Sequence, residues 1–304
     1  MKIAISAYRP RWHATWADLE AHLTAFVAEA AGQGAELLVF PEYGGFEAGL
    51  IGAPESAQGA LWWRNMITGR AADWLDLHQR LAATYGVHIL AGSICATTPR
   101  GVVNRAYLCA PDGTADCQDK LILTPYERTQ MDLVAGDGIK VFDTTLGRIG
   151  VLICYDSEFP LLARAMVAAG VDMILVPSAT DLQGGYTRVS QSCRARAIEG
   201  QCLIVQSPIL GPVDGCEVID TGTGAAGAFC PPDYGLPQDG IFALGKLDRH
   251  GWVLVDADPS AIAAPRQGGQ VGNYAHWGEQ EDGRIDRVTA IALGGATASK
   301  QAAL

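Results

Sequence analysis

Long apolar runs are missing from this sequence, and that bears on where the protein is found. The N-terminal run Met1–Tyr8 is short, and Arg9 and Arg11 follow it where a signal peptide would continue its apolar region. No apolar run approaches the roughly 20 residues that are needed to span a bilayer. We therefore expect a soluble, cytoplasmic protein.

Positive charge is also scarce. The chain has 22 lysine and arginine residues against 33 aspartate and glutamate residues, which gives a net charge of -11. Such a balance argues against nucleic acid or an anionic membrane surface as a partner. A small-molecule substrate fits the composition better.

Motifs that hold metals or nucleotides are absent. The eight cysteines include no C-x-x-C pair and mostly lie in apolar, strand-like segments. We expect reduced, buried thiols rather than a zinc cage or a disulfide framework. The six histidines show no recurring spacing, which gives little support to a metal site or a Cys-His protease, and the glycines form no phosphate-binding loop. Neither a metal nor a cofactor is expected.

The order of predicted elements indicates a layered α/β fold. Strands occur in two comparable sets, each with helices beside it, and mixing hairpins with helical crossovers implies helix-covered sheets. No Pro/Ser-rich linker divides the chain, so one domain over residues 1–258 is favoured over two smaller ones. Ile241–Lys246 and Gly251–Asp256 are predicted to form the last hairpin. Residues 259–304 are predicted to be a surface or intersubunit arm, with the last ten residues disordered.

Cys154 occupies a predicted turn between a strand and a helix. Residues 149–153 are almost continuously apolar, and Asp156, Ser157 and Pro160 supply turn and cap chemistry before a helix. A thiol at such an elbow lies beside backbone N–H groups that lower its pKa and can bind an oxyanion. The alternative is a small packing residue at a strand end.

Two further ionisable residues stand at strand ends. Glu42 follows Val39-Phe-Pro41, and Lys120 begins a long irregular loop that extends to Gly138; loops of this length are usually functional. Either residue alone could be a solvated surface charge. Together with a thiol they make chemical sense, because a buried carboxylate can take the thiol proton while an ammonium stabilises the negative charge.

Three motifs in this order resemble the nitrilase (carbon–nitrogen hydrolase) superfamily over roughly residues 1–258. The matching segments are Phe40-Pro-Glu42, Asp119-Lys120-Leu with Thr124-Pro-Tyr-Glu127, and Ile153-Cys154-Tyr-Asp-Ser-Glu-Phe-Pro160. The resemblance implies a four-layer α-β-β-α sandwich with a C-terminal arm. It also implies a homodimer or higher homo-oligomer, in which Tyr274 and Trp277 of the arm would be costly to leave exposed.

The same resemblance implies a role for each matching residue. Glu42 would be the general base, Lys120 the electrostatic stabiliser and Cys154 the nucleophile. Glu127 would hold the lysine, and the backbone N–H of Tyr155 would help to bind the oxyanion. The expected activity is hydrolysis of a linear amide to an acid and ammonia through a thioester.

The substrate stays open at this stage. True nitrilases resemble one another in having Trp-Glu after the cysteine, whereas Tyr155-Asp156 is similar to the amidase branches. Nitrilase and N-carbamoyl hydrolase activity remain alternatives, and a non-catalytic dimeric scaffold is a rival of another class. The glutamine-dependent branch is disfavoured because no synthetase domain is attached.

Asp181 and Tyr43 are candidates for substrate binding. Asp181 follows a buried strand predicted to lie beside the strand of Cys154, and substrates bind at the carboxyl ends of such strands. A carboxylate there would need a cationic or hydrogen-bonding substrate group, or a neighbour such as Arg188, as its partner. Alternatively, Asp181 caps the following helix. Tyr43 adjoins Glu42 in the same loop.

Overall fold

Two six-stranded β-sheets form the centre of the protein in the computed structural model, which describes residues 1–52, 58–281 and 283–293. The first sheet has the order β12-β1-β2-β3-β4-β5 and the second β11-β10-β9-β8-β7-β6. The strands of the first sheet are β1 (Lys2–Ala7), β2 (Leu37–Val39), β3 (His88–Thr98), β4 (Gly101–Cys109), β5 (Ala115–Asp119) and β12 (Gly251–Asp256). Those of the second are β6 (Val141–Thr144), β7 (Gly147–Val151), β8 (Met173–Ser178), β9 (Leu203–Pro208), β10 (Gly227–Phe229) and β11 (Ile241–Leu244).

Helices cover the outer faces of both sheets. The helices are α1 (Trp16–Gly32), α2 (Ala60–Thr68), α3 (Ala71–Tyr85), α4 (Pro125–Thr129), α5 (Pro160–Ala168), α6 (Gln183–Gly200), α7 (Pro259–Ala263) and α8 (Pro265–Gly268). The residue pattern of β1 shows the layers. Ala4 joins the apolar cluster that contains the buried residues of α1, α2 and α3, whereas Ile3 and Ile5 join the cluster shared with the second sheet, α5 and α6. Strand side chains alternate between faces, so the result is the expected α-β-β-α sandwich.

The loops that follow three parallel strands meet at one edge of the two packed sheets. Strands β1, β2 and β3 are parallel, as are β7, β8 and β9, while antiparallel strands flank both sets. The two sheets touch where the Ser6 and Ser207 hydroxyls lie 3.0 Å apart. Loops after β2, β7 and β8 therefore converge, and these loops carry Glu42, Cys154 and Asp181.

The predicted last hairpin is wrong. Strand β11 pairs with β10 in the second sheet, whereas β12 pairs with β1 in the first, from Lys2↔Asp256 to Ala7↔Gly251. The connection between them crosses from one sheet to the other. Two apolar strands around a short polar turn look like a hairpin locally, but six residues of pairing with β1 outweigh the turn.

Other element boundaries differ by about a turn. The spacing of apolar residues predicts a long helix over residues 62–85, either continuous or broken near Gly69, and another over Thr187–Glu199. The structure divides the first near Gly69 into α2 and α3, and the second, α6, begins at Gln183. The irregular loop after Lys120 contains the short helix α4, which Thr124 and Glu127 cap reciprocally. Such a capping box satisfies two backbone N–H groups at a helix start.

The arm packs against α5 and α6. The Arg266 guanidinium binds the Asp172 carboxylate at 2.8 Å and the carbonyl oxygens of Gly200 and Gln201. Tyr274 and Trp277 both lie over the guanidinium of Arg164, at 5.1 and 4.9 Å. These aromatics are thus half-buried on their own chain and do not by themselves require a partner. The predicted disorder of the last ten residues falls outside the described residues.

Within the described ranges, no helix has both the length and the apolar composition that a bilayer span demands.

Candidate active site

Cys154 lies on a strained turn between β7 and α5. Its backbone has φ +48, a left-handed conformation that non-glycine residues seldom adopt, and it begins a 3₁₀ turn that ends at Glu158. The Asp156 carboxylate accepts hydrogen bonds from the backbone N–H groups of Leu121 (3.1 Å), Ile122 (2.7 Å) and Ile153 (3.2 Å). Asp156 therefore fastens the elbow to the loop that follows Lys120.

Glu42 enters the site from the end of β2. The turn through Pro41 passes so close to β3 that a Cβ at Gly92 would lie 2.1 Å from the Pro41 carbonyl oxygen, and Gly92 has φ +71. Only glycine tolerates both conditions. The Glu42 side chain is buried, and its Oε1 accepts a hydrogen bond from Lys120 Nζ at 2.7 Å.

Lys120 lies between two carboxylates. Its buried ammonium contacts Glu42 Oε1 at 2.7 Å and Glu127 Oε1 and Oε2 at 2.8 Å. Glu127 is held in turn by the Tyr43 hydroxyl at 2.6 Å and by the backbone N–H of Thr124 at 2.8 Å. Among the described residues, the ammonium donates hydrogen bonds to these two carboxylates.

The thiol of Cys154 adjoins the loop after β8. Its Sγ donates to the Ala179 carbonyl oxygen at 3.4 Å, and the Ala179 N–H donates to Glu42 Oε2 at 2.9 Å. One peptide segment thus bridges the thiol and the carboxylate. The structure brings together all four residues named from the three sequence motifs, Glu42, Lys120, Glu127 and Cys154.

Asn104 belongs to the cluster formed by Glu42, Lys120, Glu127 and Cys154, although sequence reasoning missed it. This buried residue of β4 donates its side-chain Nδ2–H groups to Glu42 Oε1 at 2.9 Å and Glu127 Oε1 at 3.1 Å. The available signal was a polar residue at a strand position between Val103 and Arg105 that alternation places in the interior.

Burial and charge shift the ionisation of the cluster. Burial raises the pKa of Glu42 to about 7, against the lowering effect of the Lys120 ammonium. Burial opposes ionisation of Glu127 too, but Lys120 and two hydrogen bonds outweigh it and lower the pKa of that carboxyl group. For Lys120, burial is outweighed by the two carboxylates, which raise its pKa. At neutral pH Lys120 is therefore a cation and Glu127 an anion, whereas the pKa of Glu42 is about 7.

The pKa of Cys154 moves in the direction opposite to the expected one. Burial and the Glu42 carboxylate raise it well above that of a free thiol, although Lys120 acts against them. The elbow's N–H groups do not offset the loss of hydration. The thiol is consequently protonated at rest, and a nucleophilic role requires that its proton be removed during attack.

A cavity of about 730 Å³ opens above this cluster, a volume suited to a small molecule. Tyr43 and Asp181 both line it. The Tyr155 N–H belongs to the first turn of the 3₁₀ segment, where N–H groups have no intrahelical partner. Within the described residues, no group of three or more His, Cys, Asp or Glu side chains is placed to hold a metal ion.

Asp181 neither caps α6 nor pairs with Arg188. The N-cap residue of α6 is Leu182, and the Arg188 guanidinium lies 3.5 Å from the carboxylate of Glu158. Partial burial raises the pKa of Asp181, a hydrogen bond with Thr221 acts against this, and Asp220 nearby adds to the rise. Apart from the catalytic candidates, the charged residues that line the described part of the cavity are mostly acidic. They are Glu158, Asp181, Glu217 and Asp220, with Arg188 as the basic residue.

Comparisons with known proteins agree with this architecture. A family model of carbon–nitrogen hydrolases matches residues 2–230. The probable hydrolase YhcX of Bacillus subtilis is 32% identical over 271 residues, which are 89% of this chain and 52% of YhcX. The chain thus spans about half the length of that relative. The nitrilase blr3397 of Bradyrhizobium diazoefficiens is 28% identical, over 87% of this chain and 78% of the relative.

A solved structure gives the same assignment for the fold. An amidase of the nitrilase superfamily from Nesterenkonia AN1 superimposes with a TM-score of 0.67 at 22% identity, covering 88% of this chain and 94% of the amidase. At this identity, the likeness concerns the fold. The family model covers most of the chain, and the chain therefore belongs to the carbon–nitrogen hydrolase family of the nitrilase superfamily.

Proposed function

We propose that the protein hydrolyses a small linear amide to a carboxylic acid and ammonia through a thioester on Cys154. The observation that carries the proposal is the buried Glu42 carboxylate, which accepts a hydrogen bond from the Lys120 ammonium at 2.7 Å and from the Ala179 N–H, beside the Cys154 thiol, at 2.9 Å. Burial raises the pKa of this carboxyl group to about 7. A general base works best when its pKa is near the working pH.

Attack on the amide is coupled to proton transfer. Glu42 takes the Cys154 proton as the C–S bond forms, and the amide C=O becomes an oxyanion. The Tyr155 N–H and the ammonium of Lys120 stabilise that oxyanion. Burial and the Glu42 carboxylate raise the pKa of the Cys154 thiol, which favours a proton transfer coupled to the attack over a thiolate formed beforehand.

Collapse of the adduct releases ammonia. The oxyanion reforms the carbonyl, the C–N bond breaks, and protonated Glu42 gives its proton to the departing nitrogen. Glu42 then removes a proton from water, whose oxygen attacks the thioester. Cleavage of the C–S bond with return of the proton yields the acid and restores the thiol. Glu127 holds Lys120 in place throughout and is itself held by Tyr43.

Nitriles and N-carbamoyl compounds are the alternative substrates within the same chemistry. Tyr155-Asp156 after the cysteine resembles the amidase branches, and the superimposed structure is that of an amidase, whereas one of the sequence relatives is named a nitrilase. Measuring ammonia release from matched amides, nitriles and N-carbamoyl compounds decides among them. Turnover of nitriles alone would contradict the amidase assignment.

Asp181 supports a narrower substrate hypothesis. The described cavity wall is acidic, and no arginine of the described residues forms an ion pair with Asp181, so a substrate with an ammonium or another hydrogen-bond donor near its carbonyl would complement it. We expect Asp181→Ala to lower kcat/KM for an amino-substituted amide by up to about 5-fold more than for the neutral analogue, since partly exposed ion pairs contribute at most about 1 kcal/mol. Asp214→Ala, outside the cavity, is the matched control. An equal change with both substrates would leave Asp181 a structural role only.

Homodimer formation is proposed from the resemblance and from exposed apolar side chains. Leu161 of α5 is 71% exposed, Leu182 before α6 is 74% exposed, and Ile198 lies on α6. We expect light scattering at micromolar concentration to give twice the chain mass and Leu161→Glu to weaken association. Leu61→Glu, on α2 at the opposite side of the sandwich, should not. A monomeric wild type would contradict the proposal.

A further inference from the structure

The acceptor positions of Glu42 are almost filled. Its Oε1 receives N–H groups from Lys120 (2.7 Å) and Asn104 (2.9 Å), and its Oε2 receives the Ala179 N–H (2.9 Å). An ionised carboxylate has about four lone-pair sites, so the site that remains is on Oε2. Because Ala179 also contacts the Cys154 thiol, Oε2 is the oxygen that faces the proton to be transferred.

The two carboxylate partners of Asn104 fix the orientation of its side-chain amide, and this orientation leaves the amide oxygen without a hydrogen bond among the described residues. Both of its partners, Glu42 Oε1 and Glu127 Oε1, are acceptors, so the amide nitrogen must face them; the flipped amide would set three oxygens against one another. Its Oδ1 is buried and has no hydrogen-bond partner among the described residues. An unsatisfied buried carbonyl is unfavourable, and such groups in folded proteins call for a functional explanation.

We propose that Asn104 is a positioning residue that keeps Glu42 ionised and turns its Oε2 towards the Cys154 thiol. This inference rests on the proposed function. The charged and titratable groups that face Glu42 are Lys120 from the end of β5, Glu127 from α4 and Cys154 from the elbow. Asn104 is the neutral side-chain donor in this set. It stabilises both carboxylates at their Oε1 atoms without adding a second cation, which would lower the basicity of Glu42 too far.

Asn104→Leu removes the donor while keeping a similar side-chain volume. The wild-type profile of kcat/KM should rise through pH 7, because Glu42 must be ionised to accept the proton and its pKa is about 7. Loss of a hydrogen bond to a charged group should raise the pKa of Glu42 by roughly one to two pH units. The rising part of the pH profile should therefore move to higher pH by that amount. Activity should fall roughly 5- to 50-fold at pH 7 and recover at high pH.

Gln206→Leu is the matched control, since Gln206 is also a buried amide and lies outside the cavity wall. It should leave the profile in place. Asn104→Ser, which cannot reach both carboxylates, tests the same point if the leucine variant fails to fold. A loss of equal size at every pH, or an unshifted pH profile, would overturn the inference.

A second measurement separates this inference from the proposed function. The carboxyl carbon of Glu42 can be titrated by NMR without turnover, and we expect the midpoint to rise in both Asn104 variants. An unchanged midpoint would overturn the role of Asn104. Turnover that persists in Cys154→Ala would instead refute the thioester mechanism and leave the titration result standing.

Discussion

Replacing Cys154 with alanine should abolish turnover and leave the fold intact. The loss should be on the order of a millionfold, as seen when covalent hydrolases lose their nucleophile. Alanine retains the backbone of the elbow, and the anchors of Asp156 to Leu121, Ile122 and Ile153 are unaffected. The free energy of unfolding should therefore change by about 1 kcal/mol at most.

The matched control is Cys193→Ala, because Cys193 is equally buried but lies on α6 away from the cavity. It should keep the wild-type kcat. Ammonia release and circular dichroism, measured on both variants, check the prediction. Hydrolysis by Cys154→Ala above the level of contamination would remove the covalent mechanism.

Lys120→Gln should be as inactive as Glu42→Gln. Removal of one oxyanion donor typically raises the barrier by about 2.7 to 4 kcal/mol, or roughly 100- to 1,000-fold in kcat. The loss of the ammonium also raises the pKa of Glu42, so less of the base is ionised at neutral pH. A near-wild-type kcat would show that the role assigned to Lys120 is wrong.

The same substitution should destabilise the fold in a pH-dependent way. Glu42 and Glu127 would remain buried without their cation, a loss that typically costs about 3 to 5 kcal/mol. Their folded-state pKa values would then lie above the unfolded value, so stability is retained at acidic pH and is lost as the pH rises through the raised values. Denaturant unfolding from pH 5 to 8 measures this slope. Lys140→Gln, whose ammonium is 48% exposed beside Asp116, should show almost no change.

Much of the fold follows from local signals. The buried strand before Cys154 and the turn residues after it identified the elbow. Apolar residues at helical spacing over Trp16–Ala31 predict a helix there, which agrees with α1 almost to its ends. Glu42 and Cys154 follow parallel strands of two different sheets, β2 and β7. They were assigned to one site because of their complementary chemistry and the resemblance of the motifs, since no local signal shows how the two sheets pack.

Long-range pairing explains what the sequence could not show. The partner of β12 is the N-terminal strand, and no feature of residues 241–256 distinguishes that arrangement from a hairpin. Asn104 was missed because a single polar residue in a strand acquires meaning only when its neighbours in space are known. The raised pKa of Cys154 depends on burial and on the Glu42 carboxylate, which are also tertiary properties.

Alkylation with one equivalent of iodoacetamide tests the central claim that Cys154 is the nucleophile. All eight cysteines are free thiols, and Cys154 is the one that lines the described cavity wall beside a base. Peptide mass spectrometry should find the label on Cys154, with loss of activity in proportion to labelling and slower labelling in Glu42→Gln. Full activity in protein that is alkylated at Cys154, or labelling spread evenly over the other cysteines, would contradict the account.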